Sequence, residues 1–68
     1  MKQRFEIVVR EQVAPGWAEV FNGMEVTCRA DGDTLLAGEV PDQAALYGLL
    51  LRLRDLGLTL VSVNSLEL

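Results

Sequence analysis

The first part of the chain alternates between apolar and polar positions. Phe5, Ile7 and Val9 are apolar, and charged residues occupy most of the positions around them. A period of two places successive side chains on opposite faces of a strand. A strand with one buried face is therefore predicted from Gln3 to Arg10.

Two further elements follow this strand. Proline favours the first turn of a helix, which predicts a short helix from Pro15 to Phe21. Alternation then resumes and predicts a second strand over Met24 to Ala30. The side chains expected to point inward from this strand are Met24, Val26 and Cys28.

Asp31-Gly32 indicates a hairpin after the second strand. A two-residue loop would turn Leu36 toward the polar face of the sheet. A three-residue loop, Ala30-Asp31-Gly32, gives Gly32 the left-handed conformation and keeps the apolar residues on one face, so we prefer it. The resulting register pairs Arg29 with Asp33, Val26 with Leu36 and Met24 with Gly38.

The second half of the chain predicts strand, helix and strand. The third strand runs from Thr34 to Val40, and Asp42 is a favourable N-cap for the helix that follows. Gly57 suits the end of this helix, which is predicted over Gln43 to Leu56. A last strand is predicted over Leu58 to Asn64. Leucines at helical spacing form the apolar face of the helix: Leu46, Leu49, Leu50, Leu53 and Leu56.

These elements predict one α+β domain over residues 1–68, with a four-stranded sheet and one main helix on one face. Their order, β-(short α)-β-β-α-β, is that of the split βαβ arrangement of the ferredoxin-like fold, with a truncated first helix. The alternative is a meander of three antiparallel strands followed by the helix and the last strand.

Composition excludes several classes of function. The net charge of −4 and the scattered cations argue against binding to nucleic acid or to an anionic membrane. The chain has no histidine, and its hydroxyl groups have no base to activate them, so we expect no enzyme, no metal site and no cofactor. The single cysteine, Cys28, cannot form an internal disulfide, and no segment has the pattern of a signal peptide or a membrane span, so we expect a cytoplasmic protein.

Two surfaces carry more apolar residues than one small domain needs. The outward face of the helix has a cluster formed by Ala44, Tyr47, Gly48 and Leu51. The outer face of the sheet carries Val8, Leu35 and Ala37, together with Val61 of the last strand. That strand is apolar at Leu58 and Leu60 and also at Val61 and Val63, and a strand that is apolar on both faces is normally covered on both.

The second half of the chain resembles a group of short, uncharacterised bacterial proteins. The resemblance spans about residues 34–63 and is carried by Gly38-Glu39-Val40-Pro41-Asp42-Gln43-Ala44-Ala45-Leu46-Tyr47-Gly48-Leu49-Leu50, by Leu53-Arg54-Asp55-Leu56-Gly57-Leu58 and by Ser62-Val63. The group has no assigned activity, so the resemblance implies no functional residue.

The sequence favours a non-catalytic protein-interaction module. We expect a homodimer through the outer face of the sheet, because symmetric dimers dominate among homo-oligomers, and a contact surface for a partner protein on the helix. The alternative is a small-molecule sensor of the type of the ACT domains, which share this order of elements and bind amino acids or similar effectors at subunit interfaces. Ala14-Pro15-Gly16 would supply its loop, although the first helix is shorter than in that family.

Overall fold

The computed structural model describes residues 3–19, 21 and 23–66. Its elements are β1 (Gln3–Val9), a 3₁₀ helix (Pro15–Glu19), β2 (Glu25–Cys28), β3 (Thr34–Val40), α1 (Gln43–Asp55) and β4 (Leu60–Leu66). The strands form one sheet in the order β2-β3-β1-β4, and all neighbouring strands are antiparallel. The predicted α+β class, with four strands and one main helix, is confirmed.

The connection from β1 to β2 differs from the prediction. The predicted short α-helix from Pro15 to Phe21 is a 3₁₀ helix that ends at Glu19. Its bonds span three residues, since the Phe21 N–H donates to the Ala18 carbonyl at 3.1 Å. Five residues that begin with Pro-Gly favour this short form. The predicted arrangement is thus not matched at its first helix. The three-strand meander is wrong because β1 pairs with β3 and not with β2.

The β2–β3 hairpin has the predicted three-residue loop. Val26 lies opposite Leu36, and the Arg29 N–H donates to the Asp33 carbonyl at 2.7 Å. Gly32 has a φ of 94°, which a residue with a side chain rarely adopts. The strand itself is shorter than predicted. Cys28, which we expected to point into the core, is exposed, because β2 is an edge strand and the core does not extend beneath its last residue.

Two glycines provide a test of the packing. A Cβ on Gly38 would lie 3.1 Å from Met24 Cγ and 3.3 Å from Met24 Cα, whereas one on Gly48 would meet no atom within 4 Å. We expect Gly38→Ala to lower the free energy of unfolding by about 1–2 kcal/mol. Gly48→Ala, in the middle of α1, should raise it by about 0.5–1 kcal/mol. Urea unfolding of both variants checks the pair, and a shift in the same direction for both would contradict this packing.

Helix α1 covers the middle of the sheet. The Asp42 side chain accepts a hydrogen bond from the Ala45 N–H at 2.8 Å, as its predicted N-cap role requires. Four leucines of the predicted stripe face the sheet, and Leu56, at the C-cap, is 41% exposed instead. The buried core consists of Phe5, Ile7, Val9, Val13, Phe21, Met24, Leu36, Val40, Leu46, Leu49 and Leu53.

Strand β4 contains a bulge that the period-two pattern does not predict. Val8 pairs with Ser62 and Val9 pairs with Leu60, so Val61 is an extra residue in β4. Because the bulge shifts the register, Leu60 lies opposite Val9 just as Val63 lies opposite Ile7, and both positions belong to the helix side. The prediction of a strand that is apolar on both faces is therefore wrong.

Glu11 connects the loop after β1 to the residue before β4. Its carboxylate accepts hydrogen bonds from the Thr59 N–H and from the Thr59 hydroxyl, both at 2.6 Å. These bonds, above all the one from the Thr59 side chain, lower the pKa of Glu11. The ionised form is therefore favoured by folding.

This lowered pKa predicts an acid-dependent loss of stability. A carboxyl group whose pKa is lower in the folded state contributes stability above its unfolded pKa, and that contribution is lost as the pH falls through the folded pKa. We expect Glu11→Gln to be less stable than the unmodified chain at pH 7. As the pH falls below 4.5, the ordinary pKa of a glutamate side chain, the variant should lose less stability than the unmodified chain does. Urea midpoints across this range measure the difference. Parallel pH profiles for the two proteins would contradict the role of Glu11.

Candidate interaction surface

The outer face of the sheet offers less apolar surface than predicted. Val8 is only 6% exposed, because it lies between Leu35 of β3 and Ser62 of β4. Leu35 and Ala37 are half-buried. Val8 is therefore not available as the contact residue that the sequence suggested.

Carboxylates surround this small apolar patch. Glu6 and Glu25 lie on either side of Ala37 in the sheet, and Arg4 lies opposite Glu39. Two copies that stacked these faces would bring the carboxylates of both copies toward one apolar centre, which is unfavourable unless each carboxylate finds a cation. Charges beside the patch make this face less favourable for self-association than an uncharged apolar face.

The outward face of α1 is exposed as the helical spacing predicts. Tyr47 is 61% exposed and Leu51 is 50% exposed, and Ala44 and Gly48 are also exposed. Tyr47 and Leu51 are four residues apart and are neighbours on the helix surface. The structure thus brings these four predicted residues onto one open face of the helix.

An apolar groove separates the C-terminal half of α1 from β4. Its volume is about 370 Å³, and its lining residues are Leu50, Leu53, Arg54, Gly57, Leu58 and Leu60. Leu60 is 49% exposed, and Val61 beside it is 44% exposed. Because a single helix cannot cover four strands, the helix-side face is left open next to β4.

The end of α1 shapes this groove. Gly57 has a φ of 78°, and the Leu58 N–H donates to the Leu53 carbonyl at 3.0 Å. This is the hydrogen bonding of a Schellman-type helix end, which reverses the chain and brings Leu58 back beside the last turn. Gly57 is the predicted end of the helix, whereas the groove is absent from the sequence predictions. The sequence signal for the groove is an apolar residue at the border of the leucine stripe, Leu50, which is half-buried and lines the groove.

A protein-family model matches nearly the whole domain. The family described as "Domain of unknown function (DUF8691)" matches residues 4–64. The chain belongs to the DUF8691 family. The DUF8691 match includes all of α1 and most of every strand, whereas the resemblance noted from the sequence began only at about residue 34. Comparisons of this DUF8691 chain with curated proteins and with solved structures found no match.

The described part of this DUF8691 domain shows no cluster of three or more histidine, cysteine or acidic side chains that could hold a metal ion. The Cys28 thiol lies 3.8 Å from the Val13 carbonyl, at the distance of a weak hydrogen bond. Arg54, which lines the groove, forms an exposed ion pair with Asp55 at 3.2 Å. Among the residues described, no helix is long and apolar enough to cross a bilayer. The most distinctive surface of the DUF8691 domain is thus the groove and its apolar surroundings.

Proposed function

We propose that the domain is a non-catalytic protein-interaction module that forms a homodimer. The observation that carries the proposal is the exposed apolar surface on the helix side of β4. It consists of the groove with its exposed lining residue Leu60. Exposed Tyr47 and Leu51 add apolar surface on the outward face of α1. Exposed apolar surface of this kind is typical of protein contact sites.

The charge distribution favours this surface over the outer face of the sheet. From Leu58 to Leu66 the chain has no charged residue. The outer face carries Glu6, Glu25 and Glu39 beside its apolar patch. Since interfaces exclude unpaired charges from their centre, we place the contact on the α1–β4 side rather than where the sequence first suggested.

The composition of the chain supports a non-catalytic role. The proposal of a cytoplasmic protein also rests on the sequence alone. The chain lacks histidine, the commonest general base. The groove presents leucines and one arginine, Arg54, so it holds no pair of groups suited to proton transfer. The acidic net charge continues to argue against nucleic acid and anionic membranes as partners.

A small-molecule sensor of the ACT type is the second candidate. The observation in its favour is the groove, whose 370 Å³ lies within the usual range of ligand sites. The order of elements in the domain and its antiparallel strands also allow comparison with a split βαβ fold whose first helix is reduced to a short 3₁₀ helix. A thermal-shift screen with amino acids and nucleotides tests this candidate. A reproducible rise in melting temperature would favour the sensor, and the absence of a shift would leave the sensor without support.

Sedimentation equilibrium over a concentration series tests the homodimer. We expect a mass twice that of the chain for the unmodified protein. Leu60→Lys, which places a charge beside the groove, should reduce the mass toward that of a monomer. Ala37→Lys on the outer face of the sheet is the matched control and should remain a dimer. A strict monomer at high micromolar concentration would overturn the proposal, and circular dichroism of both variants verifies that they fold.

A further inference from the structure

We propose that two copies of the chain pair edge to edge through β4, antiparallel, with Asn64 of one copy opposite Asn64 of the second. The result is a continuous eight-stranded sheet with both helices on the same side. This inference rests on the proposed homodimer and adds the geometry of its interface. It is carried by the open backbone edge of β4, an observation separate from the groove.

The alternation of backbone groups identifies the part of β4 that is open. The Arg10 N–H donates to the Thr59 carbonyl at 2.9 Å, so the even-numbered residues of β1 direct their backbone groups toward β4. Their partners there include Ser62 and Asn64. Val63 and Ser65 therefore direct their N–H and carbonyl groups away from β1, toward the edge where the sheet order ends.

Strand β4 is much less protected than the other edge of the sheet. An edge strand is normally shielded by charge, short length or a covering element. Strand β2 has only four residues, includes Glu25, and lies against the 3₁₀ helix. Strand β4 has seven residues, none of them charged. Its bulge at Val61 disrupts one end and leaves residues 62–66 as a regular edge.

A second copy of β4 fits this edge better than a charged segment would. Antiparallel pairing that uses all five regular residues places the two-fold axis at Asn64. Val63 of each copy then pairs with Ser65 of the other. These are the residues whose backbone groups are free, and no like charges face each other across the seam. The same symmetry axis brings two identical patches together, as a closed dimer requires.

The area that a stable dimer needs brings the groove into the same interface. A typical interface buries about 800 Å² per partner, roughly a sixth of the 4539 Å² that the chain exposes. Five residues of backbone edge do not supply this area alone. Because both helices lie on one side of the joined sheet, the two grooves open on that side at opposite ends of the seam, and the exposed Leu60 side chain of each copy lies next to its end of the seam.

Disulfide crosslinking tests the register. In an antiparallel pair that is not hydrogen-bonded, opposite Cα atoms lie about 4.5 Å apart, a distance that a disulfide spans. In a Cys28→Ser background, we expect Asn64→Cys to form a covalent dimer in a glutathione redox buffer. The matched control, Ser62→Cys, lies opposite Leu66 of the second copy and should stay largely uncrosslinked. Equal crosslinking of the two variants, or none in either, would overturn the register.

Amide hydrogen exchange tests the edge pairing without any substitution. In a monomer the Val63 and Ser65 amides face solvent, whereas those of Ser62 and Asn64 are bonded to β1. In the proposed dimer, Val63 and Ser65 should exchange about tenfold more slowly once about nine-tenths of the chains are paired, because exchange then requires dissociation. If the chain is dimeric by sedimentation and these two amides still exchange rapidly, the edge geometry is wrong and the homodimer stands. If the chain is monomeric by sedimentation, the homodimer and the edge geometry are both wrong.

Discussion

Leu53→Ala is expected to lower the free energy of unfolding by about 2–5 kcal/mol, the range for leucine truncation in a packed core. Leu53 is 2% exposed and packs in the core cluster. A domain of 68 residues has a total stability of only about 3–10 kcal/mol. This single substitution therefore removes a large part of it, and urea unfolding measures the loss.

Leu51→Ala is the matched control on the same helix. Leu51 is 50% exposed on the outward face, and at a low concentration, where the chain is monomeric, such a surface substitution changes stability by about 0.5 kcal/mol or less. The ratio of the two effects tests the rotational position of α1 on the sheet. A larger loss for Leu51→Ala than for Leu53→Ala would mean that α1 presents the opposite face to the core.

Thr34→Val should produce the second large loss of stability. The Thr34 side chain is fully buried; its hydroxyl accepts from the Val13 N–H at 3.1 Å and donates to the Glu11 carbonyl at 2.7 Å. Valine has nearly the same shape but neither bond, so the Val13 N–H is left buried without a partner. One such group costs about 1–3 kcal/mol.

Thr27→Val controls for the chemistry of the substitution. Thr27 is exposed on β2, opposite Leu35. A change of about 0.5 kcal/mol or less is expected there, measured by urea unfolding alongside Thr34→Val. An equal effect at both positions would contradict the role given to the buried hydroxyl, which holds the loop after β1 against the start of β3.

Local signals explain why much of the fold was predictable from the sequence. Gly32 requires a left-handed turn, and only the three-residue loop keeps Leu36 with the other apolar residues. Asp42 and Gly57 define the two ends of α1, and helical spacing places Tyr47 and Leu51 on its outward face. Each of these depends on residues close together in the chain.

The parts that were wrong depend on contacts between distant segments. The bulge at Val61 follows from how β4 pairs with β1, and counting residues along β4 cannot show it. Val8 is covered by strands on both sides because β1 is central, and Cys28 is exposed because β2 is an edge. The groove likewise arises from the position of α1 over the sheet. The bulge, the burial of Val8, the exposure of Cys28 and the groove all depend on how the strands and the helix pack together.

The mass of the unmodified chain in solution tests the central claim most directly, namely that the domain binds a second copy of itself. Sedimentation equilibrium from low to high micromolar concentration should show a reversible change from one chain to two. A mass that stays at the 7.5 kDa of a single chain throughout would contradict the account.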